Sequence, residues 1–442
     1  MPQRNLIAIL LVALVAMACY RATDHNPSVR MFQRALGEIT QNYVEEVDPK
    51  KLVEAAIRGV VGELHDPNSE FQSPESSQAM QTDLHQQFSG IGVEVNLDQQ
   101  SQQLTVVNPV VGTPAFDAGL LSGDRILEID GQNTKGFKIV DAVKLIRGSA
   151  GVPVALKIER AGTEKPLSFN IPRAVIRTDS VLGDTRLKAR QWNFMLEDHP
   201  GIAYIRVQTF GDRTLEELKA ALASLEKQGI KGLVLDLRDN PGGLLDAGVA
   251  VCNLFIREGT LVSVHGREGT TPRIYTADGT APYTNFPMVV LIDRQSASAS
   301  EIVAACLQDR GRAAVAGERS YGKGTVQNVI GLEGGHTLKL TTAHWYPPSG
   351  KNIHRQDAKG EDDWGVHPDK GLDVKLSRED LINLLLARHN RDFQRPGAPT
   401  PPADEDSPDE KPFTDEALQK AIEHLQQALD AKKPAAPANN AA

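Results

Sequence analysis

Two short segments of the chain carry residue types that together could perform nucleophilic chemistry. In the first, the apolar run 289–292 predicts a buried strand, and SASASE at 296–301 follows it and leads into a helical pattern. A serine at such a strand-to-helix turn can expose its hydroxyl, while N–H groups at the helix start can face an anion. The second, YGKGTVQ, predicts a glycine-flanked entry into another strand, and with a period of two Lys323, Thr325 and Gln327 fall on one face. Ser298 is the candidate nucleophile and Lys323 the candidate base.

Both segments also have simpler explanations. Ser298 followed by Glu301 matches an ordinary capping box at the start of a helix. Lys323 could be a solvated lysine in a turn, because lysine side chains are rarely buried. Residues 317–323 nearly spell a phosphate-binding P-loop, but that motif requires Ser or Thr next and then a helix. Gly324 occupies that position and a strand pattern follows, so the nucleotide-binding interpretation fails.

The spacing of the two segments is specific. Lys323 lies 25 residues after Ser298 (323 − 298), and at that distance the neighbouring serines would pair with Tyr321 and Thr325 instead. With Gln327 four residues after the lysine, the pattern resembles the carboxy-terminal processing (tail-specific) proteases, serine peptidases with a Ser-Lys dyad and a PDZ domain. The resemblance implies that Ser298 is the nucleophile, Lys323 the general base and Gln327 the amide that orients it.

A third segment, RDNPGG at 238–243, follows an apolar strand predicted at 232–237. Glycines between a strand and a helix supply free N–H donors, although a plain tight turn would have the same sequence. In the family that the chain resembles, such a motif lies beside the nucleophile. The resemblance therefore implies that the backbone N–H groups of Gly243 and Ala299 form the oxyanion hole.

A glycine loop, FSGIGV at 88–93, leads into a strand predicted at 93–97. Its two glycines allow consecutive N–H groups to converge on a carboxylate, and Ile91 is expected to line a pocket beside it. The glycine-containing segments that follow resemble the PDZ pattern, and a PDZ domain takes an extended peptide onto a sheet edge. A helix predicted at 138–147 would form the other wall of that groove. The candidate carboxylate-binding residues are Gly90, Ile91, Gly92 and Val93.

The chain of 442 residues is too long for one hydrophobic core. The predicted fold class is α/β and multi-domain: a helical N-terminal segment, then a β-sandwich-like PDZ domain, then an α/β peptidase core, which the resemblance implies is ClpP/crotonase-like. The predicted parts are a signal peptide or membrane anchor at 1–26, helices at 27–80, the PDZ domain at 81–173, the peptidase core at 174–375, a C-terminal helix at 376–394, a disordered Pro-rich and acidic linker at 395–411, and a terminal helix and tail at 412–442.

The N-terminus predicts export from the cytoplasm. One positive charge precedes the uninterrupted apolar run 6–18, and AMA at 16–18 matches a signal-peptide cleavage site. The run is shorter than the roughly 20 residues that a spanning helix needs. Cys19 also permits lipidation, so cleavage, lipidation and retention as an anchor stay open. The expected location is the periplasm, or the extracytoplasmic side of the membrane to which the protein is anchored.

The composition of the chain limits the kinds of partner that it is expected to bind. With 48 basic and 57 acidic residues, the net charge of −9 argues against nucleic-acid binding. His344, His354 and His367 lack compact ligand spacing, so exposed histidines are expected, with no metal and no cofactor. Expected partners are proteins or peptides with free C-termini, a second copy bound through the N-terminal helices or the C-terminal segment, and an activating adaptor protein.

Two classes of function fit these patterns. The first is a serine endopeptidase that recognises C-terminal tails through its PDZ domain. The second is a catalytically silent PDZ scaffold on a protease fold. The presence of Ser298, Lys323 and Gln327 together favours the first. Linkers near 81–87 and 173–178, on either side of the PDZ domain, would allow it to move and so gate the site.

Overall fold

The computed structural model describes residue 5, residues 10–14, residue 17, and residues 26–98, 101–188, 191–268, 270–360, 364–393 and 413–431. The predicted linker at 395–411, the tail at 432–442 and most of the predicted export signal lie outside these residues. Two compact units are distinguished and described separately: Met1–Pro74 with Gln327–Thr341, and Glu75–Val326 with Thr342–Ala442. Within the described part of the chain, no helix has both the length and the apolar content to cross a membrane.

The chain forms ten α-helices and twenty strands between Pro27 and Ala431 in the residues that the structure describes. The helices are α1 Pro27–Asn42, α2 Pro49–Gly62, α3 Pro74–His85, α4 Pro114–Asp117, α5 Ile139–Ile146, α6 Thr214–Lys227, α7 Leu245–Asn253, α8 Ala299–Asp309, α9 Arg378–Phe393 and α10 Glu416–Ala431. The strands are β1 Glu70–Gln72, β2 Gln87–Gly90, β3 Val93–Leu97, β4 Leu104–Pro109, β5 Arg125–Ile129, β6 Gln132–Asn133, β7 Pro153–Glu159, β8 Leu167–Pro172, β9 Ala174–Arg177, β10 Val181–Leu182, β11 Thr185–Lys188, β12 Gln191–Asn193, β13 Ile202–Val207, β14 Gly232–Asp236, β15 Thr260–Gly266, β16 Arg273–Thr276, β17 Met288–Ile292, β18 Ala314–Gly317, β19 Thr325–Gly331 and β20 Thr337–Tyr346.

The first unit is built from α1, α2 and a small antiparallel sheet. Both helices have a proline in the first turn, and Asn26 and Asp48 cap them by accepting backbone N–H bonds. The two predicted N-terminal helices are thus confirmed. Strand β1 pairs with the first part of β20, with Phe71 opposite Leu338, and β19 also pairs with β20.

In the second unit, strands β3 to β8 form a six-stranded sheet around a core that contains Ile91, Leu104, Ile126 and Ile158. Strand β3 lies at an edge of this sheet and α5 packs against it. Strands β2 and β9, which lead into and out of this part of the chain, pair antiparallel with each other. The predicted strand at 93–97 and the predicted helix at 138–147 are both confirmed, the helix one residue shorter at each end.

A second sheet of the same unit has the order β10-β13-β14-β17-β18, and its last four strands are parallel. Every residue of β13, β14 and β17 is buried, as expected for parallel strands covered on both faces. Helices α6, α7 and α8 cover one face. Since β14 and β17 are parallel neighbours, the loops that leave their carboxyl ends begin side by side. These loops are residues 237–244 and 293–298.

Helix α10 covers the other face of this parallel sheet. Its buried residues Ala417, Ala421, Ile422 and Leu425 share a cluster with β13, β14, β17 and β18. The predicted C-terminal amphipathic helix is therefore confirmed, but its apolar side is buried within the chain. The expectation that the C-terminal segment joins two copies stays a prediction.

Candidate functional site

Ser298 lies at the turn between β17 and α8. Its backbone adopts φ 54° and ψ −114°, a conformation that residues other than glycine rarely adopt. The buried Ser296 holds the turn: its Oγ donates to the carbonyl of Leu237 at 2.8 Å, and its N–H donates to the carbonyl of Asp293 at 2.9 Å. Surrounding hydrogen bonds therefore stabilise a strained backbone at the candidate nucleophile, as is common at functional sites.

Glu301, which is fully buried, joins the serine turn to the lysine loop. Its Oε2 accepts the N–H groups of Ser298 at 2.8 Å and Lys323 at 2.9 Å. Its Oε1 accepts the N–H of Gly322 at 2.7 Å and the hydroxyl of Ser320 at 2.5 Å. Burial raises the pKa of this carboxyl above its usual range, although the four donors oppose the shift. One oxygen atom thus holds the backbones of both candidate dyad residues close together.

The lysine loop is also fixed from its other side. Trp345 donates its ring Nε1–H to the carbonyl of Lys323 at 2.9 Å and its backbone N–H to that of Gly324, also at 2.9 Å. The N–H of Gly324 donates to Nδ1 of His354 at 3.3 Å. Strand β19 begins at Thr325, so the segment is an entry into a strand as expected, and Lys323 lies two residues before the strand itself. Lys323 is half-buried in a loop whose backbone is held at several points.

The glycine loop after β14 is tied to the serine turn by Asn240, a buried residue that sequence reasoning did not select. Its Oδ1 accepts the N–H of Gly242 at 2.8 Å and its Nδ2 donates to the carbonyl of Val207 at 2.7 Å. Its own carbonyl accepts the N–H of Ala297 at 3.0 Å and the hydroxyl of Ser300 at 2.9 Å. Asn240 therefore contributes hydrogen bonds from both its side chain and its backbone to the relative position of the two loops.

The two candidate oxyanion donors lie on these neighbouring loops. A Cβ added to Gly242 (φ 96°) would be 2.9 Å from the N atom of Ala299, so only glycine fits at this approach. A Cβ on Gly243 (φ 143°) would be 2.2 Å from the carbonyl oxygen of Phe210. The bridge to Phe210 uses the carbonyl of Gly242 and the N–H of Leu244, and not the N–H of Gly243. As the first residue of α8, Ala299 has an N–H outside the intrahelical ladder.

Gln327 belongs to the first unit, whereas Ser298 and Lys323 belong to the second. Within its own unit, Gln327 donates its Nε2–H to Oγ1 of Thr341 at 3.2 Å. Its side chain is half-buried. Its expected role beside the lysine stays a prediction.

The four residues of the predicted carboxylate loop connect β2 to β3. Gly90 ends β2 and Val93 begins β3. Gly92 has φ 77°, and a Cβ there would lie 2.4 Å from Oγ1 of Thr113, so the tight turn requires glycine. Ile91 is fully buried in the sheet core. The expectation that Ile91 lines a pocket is therefore wrong, because its apolar side chain packs inward.

The three histidines do not form a cluster. His354 is buried, contrary to the expectation of exposure, and its ring lies 5.4 Å from that of His344. His344 has an Nδ1–Oδ2 distance of 3.7 Å to Asp357, and His367 is within 3.1 Å of the carbonyl of Trp364. Among the residues that the structure describes, no three His, Cys, Asp or Glu side chains are arranged to hold a metal ion.

Three family models match the chain. The model of peptidase family S41 matches residues 201–371, which include the serine turn, the lysine loop and the glycine loop. A PDZ-domain model matches residues 105–160. A model described as the activating protease CtpB N-terminal domain matches residues 17–76.

Individual proteins are similar over most of the chain. The carboxy-terminal-processing protease of Bartonella bacilliformis is 34% identical over an alignment of 402 positions that covers 87% of each protein. The carboxy-terminal processing protease CtpB of Bacillus subtilis is 34% identical over 345 residues, 78% of this chain and 69% of that protein. Among solved structures, a photosystem II D1 C-terminal processing protease is 29% identical, covers 80% of this chain and 95% of its own, and has a TM-score of 0.43.

Proposed function

Because the chain belongs to peptidase family S41, among the carboxy-terminal processing proteases, we propose that it cleaves peptide bonds with a dyad of Ser298 and Lys323. The observation that carries the proposal is the shared carboxylate oxygen of Glu301, which binds the backbone N–H groups of both residues. The strained backbone of Ser298 supports it as well, because such strain is retained where the surrounding structure enforces it.

In the proposed reaction, the neutral amine of Lys323 takes the proton of the Ser298 hydroxyl as its oxygen attacks the scissile carbonyl carbon. The carbonyl oxygen becomes an oxyanion, which the N–H groups of Gly243 and Ala299 stabilise. Collapse of this intermediate breaks the C–N bond, and the ammonium of Lys323 gives its proton to the leaving amine. Water, deprotonated by the same amine, then attacks the acyl carbon; the ester C–O bond breaks, and the ammonium returns the proton to the Ser298 oxygen. Gln327 orients the lysine by a hydrogen bond that adds no charge.

The PDZ domain is proposed to select substrates by their C-terminal tails. Strand β3 is an edge strand, so an extended peptide can add to it in the groove beside α5. The turn Gly90–Val93 precedes that strand and would receive the terminal carboxylate through its N–H groups. Movement at the linkers near 81–87 and 173–178, close to the paired strands β2 and β9, would allow this domain to gate the site.

The proposed location is outside the cytoplasm, in the bacterial envelope. This rests on the apolar run 6–18 and on the cleavage-site pattern AMA at 16–18 that ends it. Fusing residues 1–26 to a reporter enzyme that is active only after export tests the proposal. A reporter that stays in the cytoplasm, and is therefore inactive, would refute it.

The full-length protein and its Ser298→Ala variant should differ in one way: only the wild type cleaves proteins. Removing the hydroxyl removes the nucleophile without disturbing the N–H bond from Ser298 to Glu301. Mass spectrometry of a proteome digest with each protein measures the new termini. Equal and low cleavage by both proteins, with tail peptides still bound, would favour the silent PDZ scaffold.

A substrate with an amidated C-terminus is expected to bind about 10- to 100-fold more weakly than its free-acid form. Amidation removes charge-assisted hydrogen bonds worth roughly 1.5–3 kcal/mol. Binding to Ser298→Ala measures this affinity without turnover, and the matched peptide pair provides the control. Equal affinities would remove the tail-sensing proposal and leave the peptidase proposal intact.

A further inference from the structure

The S41 family model matches no residue beyond 371. The described residues 413–431 lie beyond that point, yet they contact the start of the glycine loop at 237–244. We propose that Asp415 is a positioning residue for peptide hydrolysis, because it fixes Arg238 and through it the loop that carries Gly243. The inference rests on the proposed dyad and oxyanion donors, and it gives the C-terminal segment a part in the reaction.

The contact between Asp415 and Arg238 is bidentate. Asp415 Oδ1 and Oδ2 accept from Nη1 and Nη2 of Arg238, both at 2.8 Å. On another edge of the same guanidinium, Asp236 accepts from Nε at 3.0 Å and from Nη2 at 2.7 Å. The Arg238 side chain is only 1% exposed and that of Asp415 16%. Two carboxylates around one planar guanidinium fix its orientation as well as its charge.

Around Asp236 and Arg238, charged side chains from the C-terminal part of the chain balance those of the parallel sheet and its following loop. Asp236 also accepts from Nη2 of Arg388 in α9 at 2.5 Å and from the hydroxyl of Tyr204 at 2.7 Å. The centre thus contains two guanidinium groups and two carboxylates. Burial by itself raises the pKa of Asp415, but the charge and hydrogen bonds of Arg238 bring it below its usual range. Neutralising Asp415 would leave an excess buried positive charge, which is costly.

Arg238 is two residues from Asn240, the residue that joins the glycine loop to the serine turn. Between them, Asp239 donates its N–H to Oδ1 of Asp293, where the serine turn begins, at 3.0 Å. A displaced Arg238 would therefore move the N–H of Gly243 relative to the serine turn. Oxyanion stabilisation depends on that geometry, because the donors must be in place before charge develops.

The test must preserve a second role of Asp415. Its carbonyl accepts the N–H of Gln419 at 2.9 Å and its Oδ1 that of Leu418 at 3.1 Å, so it is the N-cap of α10. Asparagine caps a helix as well as aspartate does. Asp415→Asn therefore keeps the cap while removing the charge and one acceptor for Arg238. Glu416→Gln removes the same charge one residue further on, at an exposed position, and is the matched control.

The expected result for full-length Asp415→Asn is a kcat lower by about 10- to 100-fold, with KM and tail-peptide affinity unchanged. A peptide aldehyde should also bind more weakly by a similar factor, because its adduct with Ser298 needs the same oxyanion donors. Glu416→Gln should leave all four quantities at wild-type values. Asp415→Glu, which keeps the charge, should retain more of kcat than Asp415→Asn.

Assays are run well below the melting temperature of each variant, so that loss of folded protein does not enter kcat. An Asp415→Asn variant with lowered melting temperature but wild-type kcat and aldehyde affinity would overturn the inference. Equal losses in Asp415→Asn and Glu416→Gln would do the same. If the wild type itself forms no adduct at Ser298, the proposed dyad fails, and that outcome is distinct from failure of the inference alone.

Discussion

Lys323→Arg is expected to lower the rate of peptide hydrolysis by about 10²- to 10⁴-fold, the range that a general base contributes. Lysine accepts a proton from serine only as the neutral amine, and the pKa of free lysine is about 10.4. A guanidinium stays protonated under the same conditions, so it cannot act as the base. The backbone contacts of Lys323 with Glu301 and Trp345 do not involve the side chain and should persist.

The measurement is the single-turnover rate on a free-acid peptide. Lys227→Arg, at an exposed position on α6, controls for the general effect of this replacement. In Lys323→Ala, added alkylamines should restore part of the rate in proportion to their neutral fraction. Wild-type turnover in Lys323→Arg would refute the dyad, and inhibition by a metal chelator would indicate different chemistry.

Glu301→Gln is expected to lower kcat by about 10²-fold, the loss typical of a displaced catalytic group. Four donors converge on the two oxygens of Glu301, whereas an amide offers one oxygen and one NH₂. In one orientation the NH₂ would face the N–H groups of Ser298 and Lys323. In the other it would face the two donors to Oε1, the N–H of Gly322 and the hydroxyl of Ser320. Each buried donor left without an acceptor costs roughly 1–3 kcal/mol. The serine turn and the lysine loop would then separate.

Glu318→Gln is the matched control. Glu318 is close in sequence to the lysine loop and pairs with Arg294 at 3.1 Å, but the arginine side chain is 51% exposed. Such surface pairs contribute little, so kcat should stay at the wild-type value. Steady-state kinetics and thermal unfolding of both variants check the prediction. Wild-type kcat in Glu301→Gln would contradict the positioning role of this carboxylate.

The parts of the fold that local sequence determines were predictable. Continuous apolar runs gave the strands Gly232–Asp236 and Met288–Ile292, because strands buried on both faces have no polar positions. The helices after these strands were predictable from the helical spacing of their apolar residues and from the positions of glycines. Since parallel neighbours direct their following loops to one edge, the approach of RDNPGG and SASASE follows from pattern and topology together.

Contacts between distant residues were not predictable in the same way. Glu301 matches a local capping pattern with Ser298. That pattern gives no sign of the hydrogen bonds that Glu301 makes to residues about twenty positions later in the chain. Arg238 and Asp415 are 177 residues apart, and no local pattern relates them. Ile91 illustrates a third limit, because one apolar residue between two glycines does not reveal which way its side chain points.

The position of α10 determines when the domain built on the parallel sheet can finish folding. Synthesis runs from the N-terminus, so strands β13, β14 and β17 are complete long before residues 416–431 exist. Until then Val234, Val289 and Leu291, on one face of the parallel sheet, lack the contacts that this helix supplies. Domains finish folding only when their last buried element is available. We therefore expect the peptidase domain to reach its stable fold only once residues 416–431 have been synthesised, so that a chain cut short before them stays incompletely folded.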